Sequence, residues 1–259
     1  MAYELDLDRY VDAVEEVLTE TLDFVRGLDA EQAALGTDCP GWTVSDNLAH
    51  MVGLEQVLAG SPEPAVDVPD LDHVRNEIGR YMETHVQARR GLPLQVVADE
   101  LAGFLPRRVE QLRALAAGGD QPVAGPFGER PLSASLPIRV VDLWAHEQDI
   151  RHAVGEQART TGSAAGLVIG RTLSAWSSGL PDRIDADATL RFIVDEPSAS
   201  TTEIVIGDGG PTLEISAGVD VLTRLGFGRG DPTDVLAGAR VEGPDEMRDA
   251  VVHHLAFTP

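Results

Sequence analysis

The chain has 259 residues, 43% apolar and 24% charged, a globular balance with length for one large or two ordinary domains at about 150 residues each. Its 43 acidic residues face 20 basic ones, all of them arginine, for a formal net charge of −23. Such a surface repels phosphate backbones and anionic lipid, so no nucleic-acid and no membrane partner is expected. The single cysteine, Cys39, cannot close an internal disulfide. MAYELDLDRY at the N-terminus is acidic and has no apolar signal core, and no run approaches the ~18 apolar residues of a membrane span. The expectation is a cytoplasmic protein.

From Leu7 to Leu28, apolar residues recur at helical steps (Tyr10, Val14, Val17, Leu18, Val25). The turn TDCPGWT follows, and Thr43 or Ser45 can cap a second helix carrying Val44, Leu48, Met51, Val52 and Leu58. A third helical region starts near Asp70, is interrupted at Pro93 and resumes from Leu94 to Leu112, with Pro106 an expected kink or break. The loop GGDQPVAGPFGERP leads to a fourth long helix, about Leu136 to Val154, stopped by Gly155. Long amphipathic helices on modest loops predict an antiparallel four-helix bundle.

The period changes after residue 160. One helix, Ala164 to Trp176, precedes strand-like Thr189–Val194, Thr202–Ile206 and Thr212–Ile215, set off by turn signals such as DEPS and GDGGP. Val219–Leu225 and Glu246–Leu255 read as helices. The predicted fold class is α+β: a bundle over residues 1–157 and a small α+β domain over 158–259.

Chemistry concentrates on the fourth helix, RVVDLWAHEQDIRHAVG. Asp142 and His146 are four apart and share one helix face. They form either an ordinary i,i+4 ion pair or two ligands of one divalent cation. His50, in SDNLAHMVGLEQV, lies near the apolar side of the second helix. Inward side chains on facing helices are how bundles build metal sites, and His50, Asp142 and His146 would leave a coordination position open. Zinc foremost, or nickel, iron or manganese, fits such a set. Arg229 in LGFGRGDP and Arg240 are weak candidates for a substrate carboxylate. Cys39 reads as part of a structural turn. His73, His85, His152, His253 and His254 have no partner at a convincing spacing and read as solvated or boundary residues.

CPGWTVSDNLAHMVG followed by RVVDLWAHEQDIRHAVG resembles the mycothiol-dependent maleylpyruvate isomerase family, DinB-like metal-binding four-helix bundles of actinobacteria. The later region resembles the sterol-carrier-like C-terminal domain of those proteins. The resemblance implies that His50, Asp142 and His146 hold the metal, with Asp142 standing where the family's isomerase has a glutamate. It also implies mycothiol as cofactor, its metal-bound thiolate adding to a small-molecule electrophile, in a monomer or small homo-oligomer. Isomerase action leads. A mycothiol S-transferase of detoxification or secondary metabolism, and a non-catalytic metal- or ligand-binding protein, are the alternatives. Arginine-only basic usage fits a GC-rich genome, such as those of actinobacteria.

Overall fold

Val11, Val14, Val17, Leu18, Leu22 and Val25 recur at helical steps, and all six are buried along α1 (Leu7–Val25). The structure is a computed structural model that describes residues 6–126, 128–195 and 200–258. The leading MAYEL, Phe127 in the Gly/Pro loop and the EPS of the DEPS turn lie outside the described residues. The chain divides into two compact units, Met1–Ala158 and Arg159–Pro259.

In the first unit α1 ends at Val25 rather than Leu28, and Asp29 caps a short helix, α2 (Ala30–Ala33), that one turn of sequence could not reveal. Thr43 starts α3 (Val44–Leu58) with a capping box: its hydroxyl receives the Asp46 N–H while Asp46 receives the Thr43 N–H. The helix α4 (Glu77–Gln87) begins at Asn76, not Asp70, because the Asn76 side chain takes the Gly79 N–H and fixes the start there. Pro106 does not break α5 (Leu94–Ala117). It removes one backbone donor, but Leu101, Phe104, Val109 and Leu112 remain buried on either side of it, and that packing holds the helix continuous. A two-residue antiparallel ribbon, β1 (Pro122–Val123) with β2 (Arg130–Pro131), sits where only a loop was expected.

The helix α6 (Leu132–Ala153) starts four residues before Leu136, since Leu132 is itself buried. Arg139, His146, Glu147, Gln148 and Asp149 are buried on it as well as Leu143, Trp144 and Ile150, so α6 is enclosed nearly all round and shows no simple apolar stripe. Helices α1, α3, α5 and α6 form the bundle: α1 packs on α5 and α6, α3 packs on α5 and α6, and α4 packs on α3.

The second unit holds α7 (Ser163–Gly179), β3 (Ala188–Val194), β4 (Ser200–Ile206), β5 (Thr212–Ala217), α8 (Val219–Phe227), α9 (Pro232–Leu236), β6 (Arg240–Glu242) and α10 (Asp245–Val252). Its sheet order is β4-β3-β5-β6, antiparallel except for the parallel β3–β5 pair. Alternation places Leu190, Phe192 and Val194 of β3 inward, and Trp176 of α7 stacks 4.4 Å from Phe192. Arg191 faces the other way and bonds Glu203 on β4 and Glu214 on β5, its register partners. The strand β6 and the helix α9 are too short to leave a period in the sequence. Among the described residues no helix is long and apolar enough to cross a membrane.

Candidate metal centre

The capping box at Thr43 sets the rotation of α3 so that Asn47 and His50, three apart, face α6. Ahead of it, the turn from Thr37 to Trp42 is closed by Thr37 N–H and hydroxyl bonds to the Trp42 carbonyl. Gly41 takes a φ of 77° there, and a Cβ on it would collide with the His73 imidazole. The turn lays Trp42 over both candidate imidazoles, 5.0 Å from the His50 ring and 5.6 Å from His146. Glu83 of α4, fully buried, locks this arrangement by accepting from Trp42 Nε1 at 2.7 Å, Gln87 Nε2 at 2.9 Å and Arg90 Nη1 at 2.8 Å, with His73 Nε2 at 3.1 Å.

His50 Nε2 lies 3.3 Å from Asp142 Oδ2, and His146 Nε2 lies 3.7 Å from Asp142 Oδ1. One ligand atom from each of the three residues falls within 4.8 Å of the others. Tetrahedral bonds of about 2.1 Å would separate ligand atoms by about 3.4 Å, so this spacing suits one cation. The orientation of His146 follows from its other nitrogen. Asn47 Nδ2 donates to Thr37 Oγ1 and the Thr43 carbonyl, which leaves Asn47 Oδ1 as the acceptor 2.8 Å from His146 Nδ1. Nδ1 therefore carries the proton, and Nε2 offers its lone pair toward Asp142. His50 and His146 are almost completely buried, whereas the Asp142 side chain is 27% exposed, so the approach to the set is on the Asp142 side.

A chain of buried charges runs behind the site. Arg108 Nε donates to Glu55 Oε2 at 2.6 Å, Arg139 Nε to Glu55 Oε1 at 2.8 Å, and Arg139 Nη1 to Asp142 Oδ2 at 2.9 Å. Burial opposes the charge on Asp142, but Arg139 and His50 outweigh it and hold its carboxyl well below the usual range. Glu55 is likewise pulled down, against its burial, by Arg108 and Arg139. Burial drives the His50 pKa down, with His146 and Arg139 adding to the effect and Asp142 opposing it. His50 is thus disposed to be neutral, the state a metal ligand requires.

Three readings of the sequence change. Cys39 is more than a turn residue: it is buried behind His146, its Sγ donating to Asp149 Oδ2 at 3.1 Å and lying 3.8 Å from His146 Nδ1. Cys39, His146 and Asp149 also cluster like ligands, but the His146 nitrogen facing them is the protonated one bonded to Asn47. His73 is a half-buried boundary residue, but it has a partner the spacing did not show, Glu83. His85 is fully buried, its ring set edge-on to Tyr81 and neither nitrogen hydrogen-bonded. Among the other histidines, His152 is half-buried, and His253 and His254 are exposed.

Arg229 and Arg240 belong to the second unit. Arg229 Nη1 donates to the Phe227 carbonyl at 3.4 Å, and Arg240 is an exposed residue of β6, 3.8 Å from both Glu214 and Glu242. The residues that sequence reasoning missed are Trp42, Asn47, Glu55, Glu83 and Arg139. Asn47 and Glu55 carried one signal: they are polar residues inside an otherwise apolar helix that also bears His50.

Burial first, then the charges of His50, Arg89 and Arg139, push the His85 pKa down to about 4. As pH falls below 6.5, the unfolded chain binds a proton at His85 that the folded chain refuses. Stability present above pH 6.5 is therefore lost toward pH 4. By urea denaturation, wild type should lose about 2 kcal/mol more than His85→Phe between pH 7 and 4.5. Equal losses would show that His85 takes up its proton without cost to the fold.

Four bundled helices with two imidazoles and a carboxylate converging between α3 and α6 define a helical-bundle protein with a divalent-metal-type donor set. The family model of the mycothiol maleylpyruvate isomerase N-terminal domain matches residues 14–151, more than half of the chain, and the chain belongs to that family. A crystal structure of the mycothiol-dependent maleylpyruvate isomerase matches with a TM-score of 0.59 at 18% identity, covering 92% of this chain and 93% of that one. A histidine-to-alanine mutant of that enzyme matches with a TM-score of 0.57 at 15% identity over the same shares. At such identities the likeness establishes the shared fold. No curated protein matches in sequence.

Proposed function

We propose that this chain is a metal-dependent, mycothiol-using enzyme of the maleylpyruvate isomerase kind, with His50, Asp142 and His146 as the metal ligands. The observation that carries the reading is the convergence of two imidazole Nε2 atoms and one carboxylate, with His146 held in the ligand tautomer by Asn47. Family membership and the fold shared with the mycothiol-dependent maleylpyruvate isomerase support it. A divalent cation, zinc first among the candidates, would supply Lewis acidity that lowers the pKa of a thiol beside it.

The chain's own residues would divide the remaining work. Asn47 fixes the His146 ring, Arg139 steers the Asp142 carboxylate, and Trp42 keeps water off both imidazoles. Asp142, the most exposed of the three, marks where thiol and electrophile enter. The thiolate adds to an electrophilic double-bond carbon as the π pair moves onto the conjugated carbonyl as an enolate. After bond rotation, expulsion of the thiolate re-forms the double bond as the isomer, whereas return of the thiol's proton to the enolate carbon retains the adduct as S-transfer.

Elemental analysis of tag-free protein after supplementation should find about one equivalent of a divalent transition metal. Less than about a tenth of an equivalent overturns the metal site. Metal-loaded protein with mycothiol and a panel of electrophiles including maleylpyruvate should yield an isomer or a thiol adduct. Neither product would leave a binding protein without turnover.

A further inference from the structure

A cavity of about 140 Å³ lies within the first unit, walled by Leu54, Leu58, Met82, Leu112, Leu136 and Ile138, and it reaches Arg139 and Asp142. An apolar cavity of ~150 Å³ accepts a benzene ring, which sets the size class. The charged groups around it are balanced within the protein. Arg108 is engaged by Glu55 and Gln111, and Arg139 gives Nε to Glu55 and Nη1 to Asp142. The other cation of the lining, Arg130, is exposed. Arg139 Nη2 is different: it is buried and has no hydrogen-bond partner. A buried guanidinium N–H without an acceptor is unfavourable, and an oxygen brought by a ligand would satisfy it. One unmet donor accommodates one acceptor group. Of the buried lining cations, neither has a further unmet donor for a second carboxylate, which would enter an apolar space.

We propose that this cavity seats the apolar body of the electrophile, and that the preferred substrates are amphiphilic. The class is an aryl ring or short branched alkyl group joined to a single carbonyl or carboxylate, whose oxygen accepts from Arg139 Nη2. The inference rests on the metal-site reading for its location, since it places the substrate beside Asp142. It departs from a small dicarboxylic substrate, which has no apolar body to fill the cavity. Arg139 then acts as a specificity residue and the cavity wall as a size filter.

The test is calorimetric binding of trans-cinnamate, one ring and one carboxylate, and of maleate, two carboxylates and no ring, to the zinc-supplemented full chain. Cinnamate should bind at least about tenfold more tightly than maleate. Leu58→Trp and Ile138→Trp, which fill the cavity from half-buried and exposed wall positions, should each weaken cinnamate about tenfold or more while the metal content stays unchanged. Arg139→Lys keeps a positive charge for Glu55 but lacks the second Nη, and should weaken cinnamate by about tenfold or more. Maleate binding as tightly as cinnamate, or neither tryptophan having an effect, overturns the proposal. Full affinity in Arg139→Lys removes Arg139 from it. The two readings fail separately. Protein holding about one metal equivalent with no cinnamate preference defeats the cavity alone. Protein without metal that still binds cinnamate in a tryptophan-sensitive way defeats the metal site alone.

Discussion

Glu55→Leu should destabilise the first unit by about 3–5 kcal/mol. Glu55 is completely buried on α3 and gives one carboxylate oxygen to Arg108 of α5 and the other to Arg139 of α6. Its removal leaves two guanidiniums inside the bundle with one anion, Asp142, which bonds Arg139. Unpaired buried charge is costly because it has lost its water and gained nothing in return. The triad's absolute worth is smaller than this, since burying the three groups was itself expensive. Urea denaturation at pH 7 measures the effect. A loss below about 1 kcal/mol would mean that water reaches the guanidiniums and that the network is not dry. Arg139 also holds Asp142, so the substitution should weaken metal binding as well as the fold.

His146→Ala should lower metal affinity by at least about a hundredfold, because loss of an outer partner alone commonly costs 10–100-fold and here a ligand itself is removed. Asn47→Ala provides the comparison. It leaves His146 in place but removes the nearer of two acceptors at Nδ1, Asn47 Oδ1 at 2.8 Å, and keeps Asp149 Oδ2 at 3.3 Å, so its loss should fall toward the lower end of the 10–100-fold range. Competition with a chromophoric chelator reads both. Full occupancy in His146→Ala would refute the ligand assignment, and an Asn47→Ala variant with wild-type affinity would refute the role of Asn47, leaving Asp149 to hold the Nδ1 proton. Cys39→Ser is the control on the opposite side of the ring. Because Cys39 faces Nδ1 rather than Nε2, its substitution should move affinity far less than that of His146.

Much of the helical layout was legible because each amphipathic helix repeats one contact several times. Val11, Val14, Val17 and Leu18 state the buried side of α1 in two turns, and Leu190, Phe192 and Val194 do the same for β3 by alternation. Helix starts were harder to place. Asn76 caps by one hydrogen bond and Thr43 by a capping box, and only the folded chain shows that these residues, rather than Asp70 or Ser45, form the caps. The short elements α2, α9 and β6 carry too few residues for any period. Pro106 was misleading because its local cost is outweighed by packing on both sides of it.

The candidate site divides in the same way. Spacing put Asp142 and His146 on one face of α6, the inward side of the facing helix α3 brought in His50, and the resemblance implied the same three ligands. These are statements about helix geometry and residue type, and the sequence alone carried them. The partners that give the three residues their chemical character are themselves held by tertiary contacts: Arg139 bound to Glu55, Asn47 tied to Thr37, and Trp42 fastened to Glu83. No spacing rule joins Trp42 to Glu83, 41 residues away, or Arg108 to Glu55, 53 residues away. Composition, period and residue type therefore determined the fold class and the candidate ligands. Only the tertiary structure decided which nitrogen of His146 faces Asp142, why Asp142 stays ionised, and where an apolar cavity meets it. Those properties arise from burial and from contacts distant in sequence, which a linear pattern does not contain.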